Sequence, residues 1–301
     1  RHHPVALAIT LSAGPLSLAQ AQTTDAPEAQ LPGITVTATG LGLSAQDMAA
    51  PISVLEGQAW QLRRAATLGD SLTGEPGIHA THFGAGASRP IIRGMDGPRV
   101  GVLANGMELH DASTISPDHA VVTETLLAER VEILRGPAAL VHGGAVGGVV
   151  NVVDSKVPTA LPANGLEGSA EVQWGSSARE KSGAVGLSAG TGPLVLRVEA
   201  ATRDAGDYRA GRGWLNEEGG RRVTGSDSQS STGTVGLSWV GTDAYLGAAY
   251  TKQAAQYGLP GHVHSDCHPH GDHLHCGGHG HGHAHDEHEE VPVVDLHSYR
   301  W

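Results

Sequence analysis

The stretch Leu166–Gly175 (LEGSAEVQWG) alternates apolar or small residues with polar ones, at a period of two. This period is typical of a β-strand that has one apolar and one polar face. Residues 194–201 and 234–239 follow the same rule, and weaker runs cover residues 184–190 and 244–251. The second part of the chain is therefore predicted to form an antiparallel sheet of about five strands.

The connections between these strands favour a membrane barrel over a soluble β-sandwich, which also alternates. Residues 190–193 and 241–243 are tight turns, whereas residues 203–232 and 255–296 are long loops. Short turns on one side and long loops on the other are typical of outer-membrane barrels. If the first strand runs outward, both long loops face the outside.

The preceding part of the chain predicts an α+β domain over residues 45–158. Thr67 is a predicted N-cap of a short helix, with Asp70 in its first turn. Asn105-Gly106 predicts a hairpin. A brief helix opening at Gly136-Pro137 and a glycine-rich turn over residues 143–148 follow. A phosphate-binding loop ending in Gly-Lys-Ser/Thr does not occur, which argues against a nucleotide site.

The N-terminal residues predict an exported protein. Residues 1–21 have the pattern of a signal peptide, with cleavage expected after Ala21. Residues 22–44 form a polar, predicted disordered arm that contains a β-prone segment, Ile34-Thr35-Val36-Thr37-Ala38. Such a segment can add itself to the edge of a partner's sheet, or can be an ordinary first strand.

The charge of the chain favours cations as partners. The formal net charge is −12 at pH 7, which argues against nucleic acid. The sequence presents no nucleophile–base pair and lacks the histidine–glutamate–histidine helix motif of zinc hydrolases, so we expect no enzyme.

A histidine-rich segment predicts metal binding. Acidic residues accompany its histidines, and Lys and Arg are absent from residues 262–290. Imidazole binds Zn²⁺, Cu²⁺ and Ni²⁺ well, so the metal stays open at this point. The predicted metal-binding histidines of the segment are His262, His264, His268, His270, His273, His275, His279, His281, His283, His285 and His288.

Cys267 and Cys276 are the two cysteines of the chain and lie inside this segment. In the oxidising compartment that an exported protein meets, we expect them to form a disulfide. The alternative is that both are thiolate ligands of zinc.

Several motifs resemble those of TonB-dependent outer-membrane receptors. Residues 34–38 resemble the energy-coupling TonB box, residues 90–97 and 131–137 resemble two plug signatures, and residues 147–152 resemble the closing strand of the plug. The stretch Tyr257-Gly-Leu-Pro-Gly-His262, followed by the histidine-rich loop, resembles the zinc-uptake branch of this family.

The resemblance implies a fold and a function. The fold is an α+β plug followed by antiparallel transmembrane β-barrel strands at residues 164–301, with a histidine-rich extracellular loop at 255–296. Such receptors have roughly 22 strands, so we expect an N-terminal part with an incomplete barrel.

In the zinc-uptake branch a Ser-Pro-Asp-His motif contributes zinc ligands, and here it reads Ser116-Pro117-Asp118-His119. Asp118 and His119 are therefore the implied ligands, and His82 in a neighbouring loop is a weaker candidate. The implied partners are zinc, outer-membrane lipid, and TonB with its inner-membrane energising complex. Haem or a metal chelate as cargo, and metal sequestration at the surface without transport, are the alternatives.

Overall fold

The computed structural model describes residues 52–142, 144–216, 219–261, 267–270, 273–276 and 291–301, with the backbone alone described at 267–270 and 273–276. The predicted signal peptide, the arm and the TonB box lie outside the described residues. None of the described helices is long and apolar enough to cross a bilayer.

The first part of the described chain is an α+β unit built on seven short strands. They are β1 (Ile52–Glu56), β2 (Ile78–Ala80), β3 (Pro90–Ile92), β4 (Val100–Ala104), β5 (Met107–Glu108), β6 (Ala128–Leu134) and β7 (Gly148–Asp154). Five of them form a sheet in the order β1-β6-β7-β4-β5, in which β4 and β7 are parallel and the other pairs are antiparallel. β2 and β3 form a separate antiparallel pair.

The helices of this unit are short. They are α1 (Gly57–Gln61), α2 (Leu68–Leu72) and 3₁₀ turns at Gly97–Arg99, Ala112–Thr114 and Gly136–His142. The hydroxyl of Thr67 accepts a hydrogen bond from the Asp70 amide, as the N-cap prediction requires. Asn105 and Gly106 both have positive φ angles, 51° and 82°, as the predicted hairpin turn requires.

The core of the unit lies on the two central strands. β7 is buried from Gly148 to Val153, and Trp60 packs against the core with 0% exposure. The indole nitrogen of Trp60 donates to the Ala128 carbonyl oxygen at 2.9 Å. Burying an aromatic ring without leaving its polar nitrogen unpaired requires such a partner.

The second part is a six-stranded antiparallel sheet. Its strands are β8 (Leu166–Gly175), β9 (Glu180–Thr191), β10 (Leu194–Ala205), β11 (Ser228–Val240), β12 (Tyr245–Gly258) and β15 (Val293–Arg300), and β13 (Cys267–His270) and β14 (His273–Cys276) form a separate pair. The strands of the sheet lie in the order β15-β12-β11-β10-β9-β8. Five of the six contain the alternating runs of the sequence, and the antiparallel prediction is confirmed.

The two faces of this sheet differ in polarity. On β10, Glu199 and Arg203 are 3% and 4% exposed and lie against the α+β unit. Leu194, Leu196 and Val198 point the opposite way and are about half exposed. An apolar outer face with a polar inner face is the pattern of a barrel wall in lipid.

The loop boundaries differ from those predicted. β12 continues to Gly258 and β15 begins at Val293, so the histidine-rich loop spans residues 259–292 rather than 255–296. The earlier long loop spans residues 206–227 rather than 203–232. Ladder pairing, such as that between Ser228 and Tyr257, extends the strands beyond the residues that alternate in polarity.

Polar contacts join the α+β unit to the sheet. Arg64 forms an ion pair with Glu171 of β8 at 2.5 Å. The hydroxyl of Thr232 on β11 donates to Glu124 at 3.0 Å, and the guanidinium of Arg203 donates to the Ala65 carbonyl oxygen at 3.1 Å. Each barrel residue named here lies on the polar inner face.

Candidate functional site

The predicted zinc motif lies in a loop that one carboxylate closes. Asp111 accepts hydrogen bonds from the Ser113 amide at 3.1 Å and from the Val122 amide at 3.0 Å, so it joins the two ends of residues 111–122. Its hydrogen bond to Ser113 also caps the 3₁₀ turn Ala112–Thr114. The carboxylate thus fixes the loop from inside, as Asp does in turns.

Arg89 is a buried residue that stabilises this closed loop. The residue is 2% exposed, and its guanidinium donates to the Ser113 hydroxyl and to the Val100 carbonyl oxygen. Asp111 lies 3.7 Å away. Burial lowers the pKa of Arg89, and the charge of Asp111 opposes that shift. The buried cation therefore depends on the carboxylate that organises the loop.

Asp118 and His119 are adjacent at the tip of the loop. His119 Nδ1 lies 3.0 Å from Asp118 Oδ1. The two atoms are close enough for an ion pair, but the approach is not aligned as a hydrogen bond, and this ring nitrogen is buried without another partner. We therefore interpret the two side chains as two potential metal ligands on one side of the turn, rather than as a hydrogen-bonded pair.

The Asp118 carboxylate is stabilised in its charged form. The Ser116 hydroxyl donates to Oδ1, and this hydrogen bond is the main reason that the pKa of Asp118 lies below its usual value. The neighbouring His119 lowers the pKa further, against a partial desolvation that raises it. A half-exposed carboxylate that is already ionised suits a divalent cation.

Tyr257, a residue absent from our predicted site, contacts this turn. It lies near the end of β12, and its hydroxyl is 2.9 Å from the Ala120 amide nitrogen and 3.0 Å from the Asp118 carbonyl oxygen. In the sequence, Tyr257 stands out only because its stretch is similar to the zinc-uptake branch. Its contact with Asp118, 139 positions away, leaves no local signal in the sequence.

The hydrogen-bonding partner of His82 is neither Asp118 nor His119. Its ring Nδ1 is 3.2 Å from Asp70 Oδ1, and the Ser88 hydroxyl donates to the same carboxylate oxygen. The Asp70 carboxylate also belongs to the N-terminal network of α2, through Thr67. The structure therefore gives His82 a carboxylate partner in the helix cap.

Part of the histidine-rich loop has a described backbone. β13 (Cys267–His270) and β14 (His273–Cys276) pair as an antiparallel hairpin, with Cys267 opposite Cys276 and His268 opposite His275. Directly opposed residues have Cα atoms about 4.5–5.5 Å apart, within the range that a disulfide spans. His262, His264, His279, His281, His283, His285 and His288 lie outside the described residues.

Within the described part of the chain, no group of three or more His, Cys, Asp and Glu side chains is arranged to hold a metal ion. Asp118 and His119 supply two donors, and structural zinc usually has four ligands. A small polar space, of about 30 Å³, lies between the α+β unit and strands β10–β12 and β15, with Glu124, Glu199 and Thr234 in its lining.

Comparison with known proteins identifies the first unit. Residues 44–149 match the model of the TonB-dependent receptor plug domain. The chain is 28% identical to the vitamin B12 transporter BtuB of Photobacterium profundum over 168 residues, which are 55% of this chain. It is 30% identical to a hemin receptor of Yersinia pestis over 183 residues, which are 60% of this chain. Both matches span 27% of the relative's length.

Solved structures share the fold. The copper transporter OprC superposes with a TM-score of 0.59 at 20% identity, covering 70% of this chain and 31% of that protein. The pyoverdine outer-membrane receptor FpvA of Pseudomonas aeruginosa PAO1 also has a TM-score of 0.59, at 18% identity, covering 77% and 32%. The chain therefore carries a TonB-dependent receptor plug domain, followed by antiparallel strands of an incomplete β-barrel.

Proposed function

We propose that this chain is part of a TonB-dependent outer-membrane receptor that imports zinc or a related divalent metal. In this proposal the histidine-rich loop captures the ion outside the cell, and the plug receives it at Asp118 and His119. TonB then pulls on the segment 34–38, and the plug moves to open a path. The energy comes from the inner membrane.

The observation that carries the proposal is the geometry of the plug turn. A carboxylate held in its ionised form and an imidazole nitrogen without an aligned partner lie 3.0 Å apart. Both ligand types are common in zinc sites, and barrel groups or water would complete the coordination. The hydrogen bond from Ser116 favours the ionised form of the carboxylate.

The location of this turn also supports the proposal. Tyr257 contacts it from the end of β12, and the histidine-rich loop leaves the sheet directly after that strand. Capture and reception would therefore occur at the same end of the plug. Because the loop histidines are numerous, each of them is individually replaceable, whereas Asp118 and His119 have fewer substitutes.

A route for the ion past the plug would run along its contact with the barrel wall. The polar space near Glu124 and Glu199 lies on this contact. Displacement of the plug by TonB would have to break ties such as the Arg64–Glu171 ion pair.

Haem or a metal chelate is the second candidate cargo. It is supported by the similarity to a hemin receptor and to a vitamin B12 transporter. Histidines of the loop would then serve as axial ligands. Growth on haem as the sole iron source, compared between cells with and without the receptor, separates this cargo from free zinc.

The double variant Asp118→Ala/His119→Ala in the receptor with its complete barrel tests the zinc proposal. We expect zinc uptake to be abolished at both low and high zinc, while zinc binding by the loop persists. Deletion of residues 262–288 should reduce uptake mainly when zinc is scarce. His110→Ala, at an exposed plug histidine that follows β5, is the matched control. Normal zinc import by the double variant would refute the plug site.

A further inference from the structure

Tyr257 belongs to the barrel wall but is buried against the plug. It is 1% exposed, and it packs with Ala87 and Leu259 in a small apolar cluster that Phe83, Ala120 and Val294 adjoin. The cluster contains residues of both plug loops that carry predicted metal ligands, together with residues at the base of the histidine-rich loop. Tyr257 is the largest buried member of this cluster.

The hydroxyl of Tyr257 is bonded on both sides to the metal turn. It accepts from the Ala120 amide at 2.9 Å and donates to the Asp118 carbonyl oxygen at 3.0 Å. The two bonds bracket His119 in the backbone, so they fix the peptide units on either side of it. A buried amide or carbonyl left without a partner would be costly, which makes this position of the turn favourable only while the hydroxyl is present.

The plug loop over residues 83–87 is shaped to admit the tyrosine ring. A Cβ atom on Gly86 would overlap this ring and would lie 2.6 Å from Tyr257 Cβ. A Cβ atom on Gly84 would lie 3.1 Å from the Gly258 carbonyl oxygen. Gly86 is therefore needed for the close approach of β12 rather than for a turn conformation, and Gly84 lies in tight contact with the same strand.

We infer that Tyr257 is a positioning residue for the plug metal site, which it holds in a ligating arrangement and connects to the strand from which the histidine-rich loop leaves. The inference rests on the proposed function, since it concerns the same Asp118–His119 pair. Tyr257 itself does not touch the ion. Its hydroxyl sets the backbone between Asp118 and Ala120, and thereby the direction of the two ligand side chains.

The same contact links the plug turn to the barrel. A plug that moves under TonB must break both hydrogen bonds of the Tyr257 hydroxyl, because Tyr257 stays with β12. The turn would then lose its fixed backbone as the plug leaves its resting position. Release of the ion would thus accompany the plug movement rather than precede it.

The test is Tyr257→Phe in the receptor with its complete barrel, because phenylalanine keeps the ring and removes only the hydroxyl. We expect the zinc concentration for half-maximal uptake to rise about five- to thirtyfold, the effect of losing one to two net hydrogen bonds. The maximal uptake rate and the amount of folded receptor should stay unchanged. Tyr250→Phe, on the opposite face of β12 where the ring stacks on Trp301 at 4.5 Å, is the matched control.

Hydrogen exchange gives a readout that does not depend on zinc. In Tyr257→Phe the peptide covering residues 116–122 should exchange faster, while peptides covering β6 and β7 should be unaffected. Gly86→Ala, which displaces the ring, should have the same effects. Unchanged exchange at residues 116–122 would overturn the inference, and so would faster exchange with unchanged half-saturation. Neither result would refute the proposed function, which fails instead if the Asp118/His119 double variant imports zinc normally.

Discussion

Glu132 is a carboxylate at the centre of the plug sheet, and its replacement provides a sharp test of the described core. The residue is 0% exposed. Its carboxylate accepts from Arg130 Nε at 3.0 Å and from Asn151 Nδ2 at 2.9 Å, and Glu132 and Asn151 are directly opposed on β6 and β7. A stretch that resembles a plug signature and the stretch that resembles the closing strand of the plug thus meet at this pair.

Asn151 cannot adapt to a changed partner. Its side-chain oxygen accepts from the Gly106 amide at 2.8 Å, which fixes the hairpin between β4 and β5. Turning the amide group to suit a new neighbour would break that bond. The orientation of Asn151 therefore requires an acceptor at Glu132.

Two substitutions separate the size of the side chain from its charge. Glu132→Ala removes the carboxylate that accepts from Asn151 and Arg130 and opens a cavity. Losing one partner of a buried pair costs about 3–5 kcal/mol. Because the Arg130 side chain is 22% exposed, we expect the low end, about 3 kcal/mol. Glu132→Gln keeps the volume and one acceptor, so we expect a cost of about 1–2 kcal/mol.

The measurement is urea unfolding of the purified receptor. Unfolding is monitored by hydrogen exchange of the peptides that cover β6 and β7, which report on the plug alone. Glu129→Gln, at an exposed position of the same strand, is the control and should change the free energy of unfolding by less than about 0.5 kcal/mol. If Glu132→Ala costs no more than this control, the buried network contributes nothing to plug stability and the reasoning is wrong.

Three further predictions concern the site, the loop and the plug sheet. Zinc binding at the plug turn should weaken as pH falls through the range in which imidazole protonates. The cause should be His119, because the hydrogen bond from Ser116 lowers the pKa of Asp118 and so keeps its carboxylate ionised; persistence of the pH dependence in His119→Gln, measured by zinc titration, would contradict this. Cys267 and Cys276 should form a disulfide, since they are opposed in the β13–β14 ladder; thiol titration of the unreduced, metal-free protein should find no free thiol, and two free thiols would favour thiolate ligands instead. Gly148→Ala should destabilise the plug by about 1–3 kcal/mol, because Gly148 has a φ of 147° and a Cβ atom there would lie 2.9 Å from Ile92. An unchanged urea midpoint would show that the backbone adapts at no cost.

Local patterns in the sequence predicted the strands and the short helices. The alternation over Leu166–Gly175 and residues 194–201 predicted both the strands and the two faces of the sheet, because side chains on a strand alternate between its faces. Thr67 and Asn105-Gly106 were also informative, because N-caps and tight turns are decided within a few residues.

The exact strand ends could not be predicted in this way. β12 and β15 extend further into the histidine-rich loop than their polarity indicates, because pairing with the neighbouring strand determines where each of them ends. The hairpin of β13 and β14 inside that loop was likewise not expected, because histidines and acidic residues do not have the alternation of a half-buried strand.

The sequence by itself determined the order of a plug and barrel strands, the polarity of each sheet face, and Asp118 and His119 as neighbouring ligand types. Only the tertiary structure decided what holds these two side chains in place. Asp111 closes their loop, the Tyr257 hydroxyl bonds to their backbone from 139 positions away, and His82 contacts the cap of α2. These contacts join residues that are distant in the chain, and their hydrogen bonds are directional and buried. Periodicity and turn signals, which act over a few residues, carry no information about them.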